Sequence, residues 1–102
     1  MAPESRGAPP RTPAVPTVRI DNARVRVTEW RFAPGAATGW HRHELDYVVV
    51  PATTGRLRLE TREGERMAEL TAGVPYFRTR GVEHDVVNAN DFELVFIEVE
   101  IK

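Results

Sequence analysis

The chain holds three histidines, His41, His43 and His84, and no cysteine. His41 and His43 are separated by one residue. On an extended backbone such positions project from the same face, so two imidazoles can reach one cation at the usual metal–nitrogen distance of about 2.0–2.1 Å. His84 lies far downstream and supplies a third nitrogen if the chain folds back on itself. A lone histidine near a strand is usually a satisfied polar residue, and a His-x-His pair alone says little. The framing says more. Gly35 precedes His41 by six positions, and Gly73, Gly81, His84 and Asn88 form G-x7-G-x2-H-x3-N. Each glycine falls where a turn must enter or leave a strand, a place for positive φ. An unpaired buried polar group costs about 1–3 kcal/mol. One cation satisfies a nitrogen on all three rings at once. With every histidine committed to this set, no Ser–His–Asp triad is left to argue, and without cysteine there is no disulfide, thiolate site or thiol nucleophile.

Elements must bring these residues together. From Thr17 onward the chain shows short apolar runs with alternation and no sustained 3.6-residue period. Eight segments read as strands: 17–20, 24–33, 46–50, 56–61, 66–71, 74–79, 84–89 and 91–101. Turn signals separate them, among them Asp21-Asn22, Pro34-Gly35, Glu63-Gly64 and Asn90-Asp91. No helix is predicted. Many short strands at even spacing point to a single all-β domain, an antiparallel sandwich or barrel of the jelly-roll kind. In 24–33 the apolar parity flips between Val27 and Trp30, which predicts a bulge or bend near Thr28. In 91–101, Val95, Ile97, Val99 and Ile101 share one face. The other begins apolar with Phe92, Leu94 and Phe96 and ends acidic with Glu98 and Glu100. A strand apolar on both faces needs two partners, the barrel interior and either a second sheet or a second subunit. A homodimer is therefore expected.

Residues 1–16 hold five of the eight prolines and almost nothing to bury. They read as a disordered or extended arm, leaving 17–102 as the barrel. The balance of 14 Lys+Arg against 15 Asp+Glu argues against a nucleic-acid binder. No apolar run is long enough to span a membrane and no signal-peptide core is visible, so a cytoplasmic protein is expected.

Other side chains near the histidines carry weaker signals. Asn88 shares the strand face of His84 and is placed to hold a ligand by hydrogen bonds. Arg78 and Arg80 either draw anionic groups to a cavity mouth or are simply solvated. Trp30, Trp40 and Phe77 read as core or cavity wall. Glu83 and Asp85 flank His84 and face away from it.

Taken together, the two histidine segments resemble the cupin superfamily. Its first motif is G-x5-H-x-H-x3,4-E-x6-G, matched here by Gly35, His41 and His43, with Gly55 compatible with its closing glycine. Its second is G-x5-P-x-G-x2-H-x3-N, matched by Gly73, Gly81, His84 and Asn88, with Thr79 in place of the proline. The stretch W-H-R-H-E-L-D-Y-V-V-V-P is similar to small bacterial single-domain cupins, some of them associated with beta-alanine degradation. The resemblance spans about residues 24–101. It implies a β-barrel with one divalent transition metal per chain inside its mouth (iron, zinc, nickel, manganese and copper all suit imidazole) and, commonly, a homodimer.

One departure bears on the chemistry. The family's glutamate ligand is absent, because Tyr47 and Val48 stand four and five residues after His43. Tyr47 shares the histidine face and is the candidate catalytic residue, or else a barrel-lining aromatic. Asp46 becomes a possible fourth ligand only if a bulge shifts the register, and Glu44 only with a similar rotation. Three neutral imidazoles leave the metal's charge uncompensated, which favours anionic small molecules. In the family that pattern resembles three-histidine oxygenases. The expected function is a dioxygenase-like metalloenzyme on a small carboxylate or dicarbonyl. A non-catalytic binder or sensor, and an accessory dimer with a vestigial site, are the alternatives. Asn88, Phe77 and Arg78 are the expected substrate contacts.

Overall fold

The computed structural model describes residues 11–102. Its strands are β1 (Val15–Asp21), β2 (Val25–Phe32), β3 (His41–Arg42), β4 (Asp46–Pro51), β5 (Gly55–Thr61), β6 (Gly64–Leu70), β7 (Tyr76–Arg78), β8 (Glu83–Asn88) and β9 (Leu94–Ile101). They form two antiparallel sheets, ordered β1-β2-β9-β4-β7 and β3-β8-β5-β6. This is the all-β jelly-roll barrel the alternation predicts. No helix occurs among the described residues, and none is therefore long and apolar enough to cross a membrane.

Alternation decides what each sheet turns inward. Phe32, Tyr47, Val49, Leu57, Leu70, Val86, Leu94 and Phe96 form the buried core between the sheets, with Phe32 and Leu94 fully enclosed. Each such side chain contributes about 1.5–3 kcal/mol on leaving water. Phe32 and Phe96 pack with ring centroids 5.4 Å apart. This packing fills one end of the barrel and leaves the other end open.

Three expectations need revision. The arm's last residues are extended and paired: the Ala14 amide donates to the Ala37 carbonyl at 2.9 Å, and the Ala37 amide donates to the Thr12 carbonyl at 2.9 Å. Ordered strand thus begins at Val15 rather than Thr17. Residues 1–10 of the expected arm lie outside the described residues. The bulge near Thr28 is not in β2, whose register with β9 runs unbroken from Val25↔Ile101 to Phe32↔Leu94. It lies in β1, between Val18 and Ile20. The parity flip has another cause. Trp30 and Phe32 face inward where the barrel is packed. Toward the open end the inward positions are Arg26 and Thr28, so Val25 and Val27 face outward. The third revision concerns Trp40, which is not core: it is 48% exposed, with the Arg62 guanidinium 5.4 Å above its ring.

Candidate metal centre

His41 and His84 are direct cross-strand partners in the β3–β8 pair. Side chains opposite one another in a sheet share a face, so both imidazoles enter the barrel together. His43 lies just beyond β3 and is held by a turn of the chain around residue 81. Its amide donates to the Val82 carbonyl at 2.9 Å, and the Gly81 amide donates to its carbonyl at 2.8 Å. Gly81 has φ +98°, in the left-handed region where a side chain is strained. That turn explains the glycine three residues before His84.

The three rings converge. His41 Nε2 lies 3.1 Å from His43 Nε2, which lies 3.1 Å from His84 Nε2. The rings meet edge to face, with centroids 4.8–5.1 Å apart. His43 and His84 are buried and His41 is half-buried. The tautomer of His41 follows from its neighbours. Its Nδ1 lies 2.9 Å from the Gly39 carbonyl, which can only accept. The proton is therefore on Nδ1, and Nε2 presents a lone pair to the other two rings.

This donor set fits a divalent transition metal. Nitrogens bound at about 2.1 Å to one ion stand about 3.0–3.4 Å apart, and two of the observed separations are 3.1 Å. Lone pairs turned toward one another at that spacing repel unless a proton or a cation lies between them. A second proton on either buried ring is disfavoured. Burial, with repulsion from His41 and His84, pushes the His43 pKa down to about 3. Burial and His41 push that of His84 down to about 4. Neutral imidazole is the form that binds metal.

The histidines line the wall of an open cavity of about 1240 Å³. Trp30, Tyr47, Tyr76, Arg78, Glu98 and Glu100 share that wall. Tyr47 is buried and stacked on His43, with centroids 3.9 Å apart and planes 15° from parallel. Burial, reinforced by Glu98, raises its pKa, so the phenol keeps its proton. Arg78 reaches the cavity and lies 4.6 Å over the Tyr76 ring.

Several expected site residues are elsewhere. The β4 register shows no bulge to turn Asp46 inward. Asp46 Oδ1 instead accepts from the Arg80 amide at 2.8 Å, so it is not a fourth ligand. Glu44 borders the cavity, but it is exposed and pairs with Arg42 at 3.6 Å. Asn88 does share the face of His84, but at the packed end of the barrel. Its amide nitrogen donates to the carbonyls of Phe32, Ala33 and Phe92, and its oxygen accepts from Asn90. No polar atom of Asn88 is left for a ligand. Phe77 points out of the barrel, 51% exposed.

Glu98 is the residue the sequence reading passed over. It is buried on the inner face of β9. Its Oε1 accepts from Trp30 Nε1 at 3.3 Å, and its Oε2 lies 3.9 Å from His43 Nδ1. Burial and the nearby Glu100 push its pKa up to about 7. The signal was present: an acid that continues the inward register of Leu94 and Phe96 must enter the barrel.

Comparison with known proteins agrees with this architecture. A family model described as a cupin domain matches residues 28–100. Beta-alanine degradation protein BauB of Pseudomonas aeruginosa is 66% identical over 92 residues, covering 90% of this chain and 97% of that protein. The crystal structure of a cupin domain from Bordetella pertussis superposes with a TM-score of 0.91 at 62% identity, covering 93% of this chain and 99% of that one. The polyketide cyclase RemF from Streptomyces resistomycificus shares the fold, with a TM-score of 0.68 at 23% identity over 89% of this chain and 68% of its own.

Proposed function

This chain belongs to the cupin domain family, and on that premise we propose that it is a metalloenzyme, dioxygenase-like, acting on a small carboxylate or dicarbonyl metabolite. His41, His43 and His84 hold one divalent transition metal, which supplies Lewis-acid or redox chemistry when bound. The observation that carries this reading is the convergence of the three Nε2 atoms at the wall of an open cavity.

The chain's own residues divide the remaining work. Arg78, at the cavity wall, attracts and orients an anionic group. Leu57, Leu59 and Val86 line the deeper wall and exclude water. Tyr47 holds its proton and offers it as a hydrogen-bond donor to ligand, with its ring fixed against His43. The likeness to the Pseudomonas protein supports placing the substrate among the small carboxylates of beta-alanine breakdown. The working unit is a cytoplasmic homodimer. Cross-strand partners Ile20, Val27, Val99, Val48 and Phe77 form an apolar row across the outer face of all five strands of one sheet, which supports that assembly.

Metal analysis of the purified protein, followed by oxygen uptake and product analysis with iron-loaded protein, tests the reading. The substrate panel comprises β-diketones, thiols and β-amino-acid metabolites. One metal per chain, lost in His41→Ala and in His84→Ala, is the expected result, with turnover of at least one carboxylate or dicarbonyl. Full metal in both variants refutes the site. Tight ligand retention without turnover replaces the enzyme with a binding protein.

A further inference from the structure

Among the described residues, Glu98 is the one buried carboxyl within 4 Å of a histidine of the cluster, and its two oxygens face different partners. Oε1 accepts from the Trp30 indole at 3.3 Å, while Oε2 lies 3.9 Å from His43 Nδ1. The backbone beneath it cannot drift, because Glu98 sits in a central strand, paired with Thr28 on one side and Val49 on the other. At 3.9 Å Oε2 stands beyond hydrogen-bond reach of Nδ1, and a rotation within the side chain is what would close the gap.

His43 needs such a partner. Its ring plane is set by the stack on Tyr47. Stacking fixes the plane but not which edge faces the cluster, since a half-turn of the ring exchanges the edges at little steric cost. For His41 the Gly39 carbonyl selects the tautomer. For His43 the acceptor beside Nδ1 is Glu98.

We propose that Glu98, tethered through Oε1 to Trp30, accepts the Nδ1 proton of His43 and so holds that imidazole with its Nε2 lone pair toward His41 and His84. Glu98 is thus a positioning residue. It also supplies negative charge behind a ligand, at a site whose three donors are neutral. In the sequence the acid expected after His43 is replaced by Tyr47. In the fold an acid arrives from a distant strand and acts through the imidazole. This inference rests on the metal-site reading only for its effect on affinity; the tautomer it predicts is a property of the metal-free chain.

Two measurements on the full-length protein test it at pH 8. The first is the tautomer of His43 by nitrogen-15 NMR of metal-free wild type and Glu98→Gln. Wild type is expected as the Nδ1–H form, with the variant shifted toward Nε2–H. The second is affinity for Zn²⁺ and Co²⁺ by competition with a chelator. Loss of such an orienting partner is expected to weaken binding about 10- to 100-fold. Trp30→Phe leaves the carboxylate but cuts its tether, and is expected to fall between the two. It also serves if Glu98→Gln does not fold. An unmoved tautomer, or an affinity within threefold of wild type, overturns the proposal. Wild type that binds neither metal but shows the tautomer shift sinks the metal reading and leaves the Glu98–His43 contact standing.

Discussion

At the scale of single residues, the chemistry of the site is a matter of which groups carry protons in a confined space. An unfolded imidazole titrates near 6.5 and an unfolded glutamate near 4.3–4.5. His43 and His84 are held far below the first value, and Glu98 well above the second. The signs oppose. As pH falls from 6.5, the unfolded chain takes up protons that the folded imidazoles refuse, so their contribution to stability is lost toward pH 3–4. Glu98 contributes most below 4.5, and its contribution is lost as pH rises toward 7. Between 4.5 and 6.5 the two partly cancel; below 4.5 the imidazoles still lose, together with carboxylates such as Glu29 and Glu60 that neighbouring arginines hold below their ordinary value. Thermal melts of metal-free protein are therefore expected to show a Tm that drops steeply from pH 4.5 to 3, with a shallower drop in His43→Gln. Equal slopes in the two proteins would show that His43 is not held neutral by the fold.

At the scale of elements, one strand end does two jobs. β8 delivers His84 to the cavity, and four residues on it places Asn88 at the packed end, where it ties together the carbonyls of Phe32, Ala33 and Phe92. The spacing that suggests a second site residue instead marks where the barrel is closed. Removing a partner from buried carbonyls carries their desolvation cost. Asn88→Ala is expected to lower unfolding free energy by about 2–4 kcal/mol in denaturant titration, while metal stoichiometry in the folded protein stays at one. Loss of metal from a fully folded variant would return Asn88 to the site. The same logic separates β4 from its prediction. Its regular pairing with β9 keeps Asp46 off the cavity face and sends Tyr47 into it, so the fourth-ligand question is answered by register.

For the whole molecule, the outer face of the five-stranded sheet is the conspicuous surface. Val27, Val99 and Val48 are direct neighbours across its centre. Ile20 and Phe77 extend the row at either edge, both about half exposed. β1 adds exposed Val15 at an edge, the kind of strand that proteins usually cover. Light scattering is expected to give twice the chain mass, and Val99→Glu, which puts a charge in the middle of the row, is expected to give a monomer. A monomeric wild type would assign that face to another partner or to none.

What the sequence determined by itself was local: alternation, turn residues and the placement of three histidines. These were enough for an all-β jelly roll and for the His41–His43 pair, because face and spacing along a strand follow from backbone geometry alone; His84 joined that pair only through the resemblance of both motifs to the cupin family. The tertiary structure decided everything that depends on which strand lies opposite which. It set Asn88 at the packed end, turned Asp46 to the Arg80 amide, exposed Trp40 and Phe77, and brought Glu98 behind His43. Pairing register and the depth of the barrel are properties of distant segments meeting, and no single stretch of residues contains them.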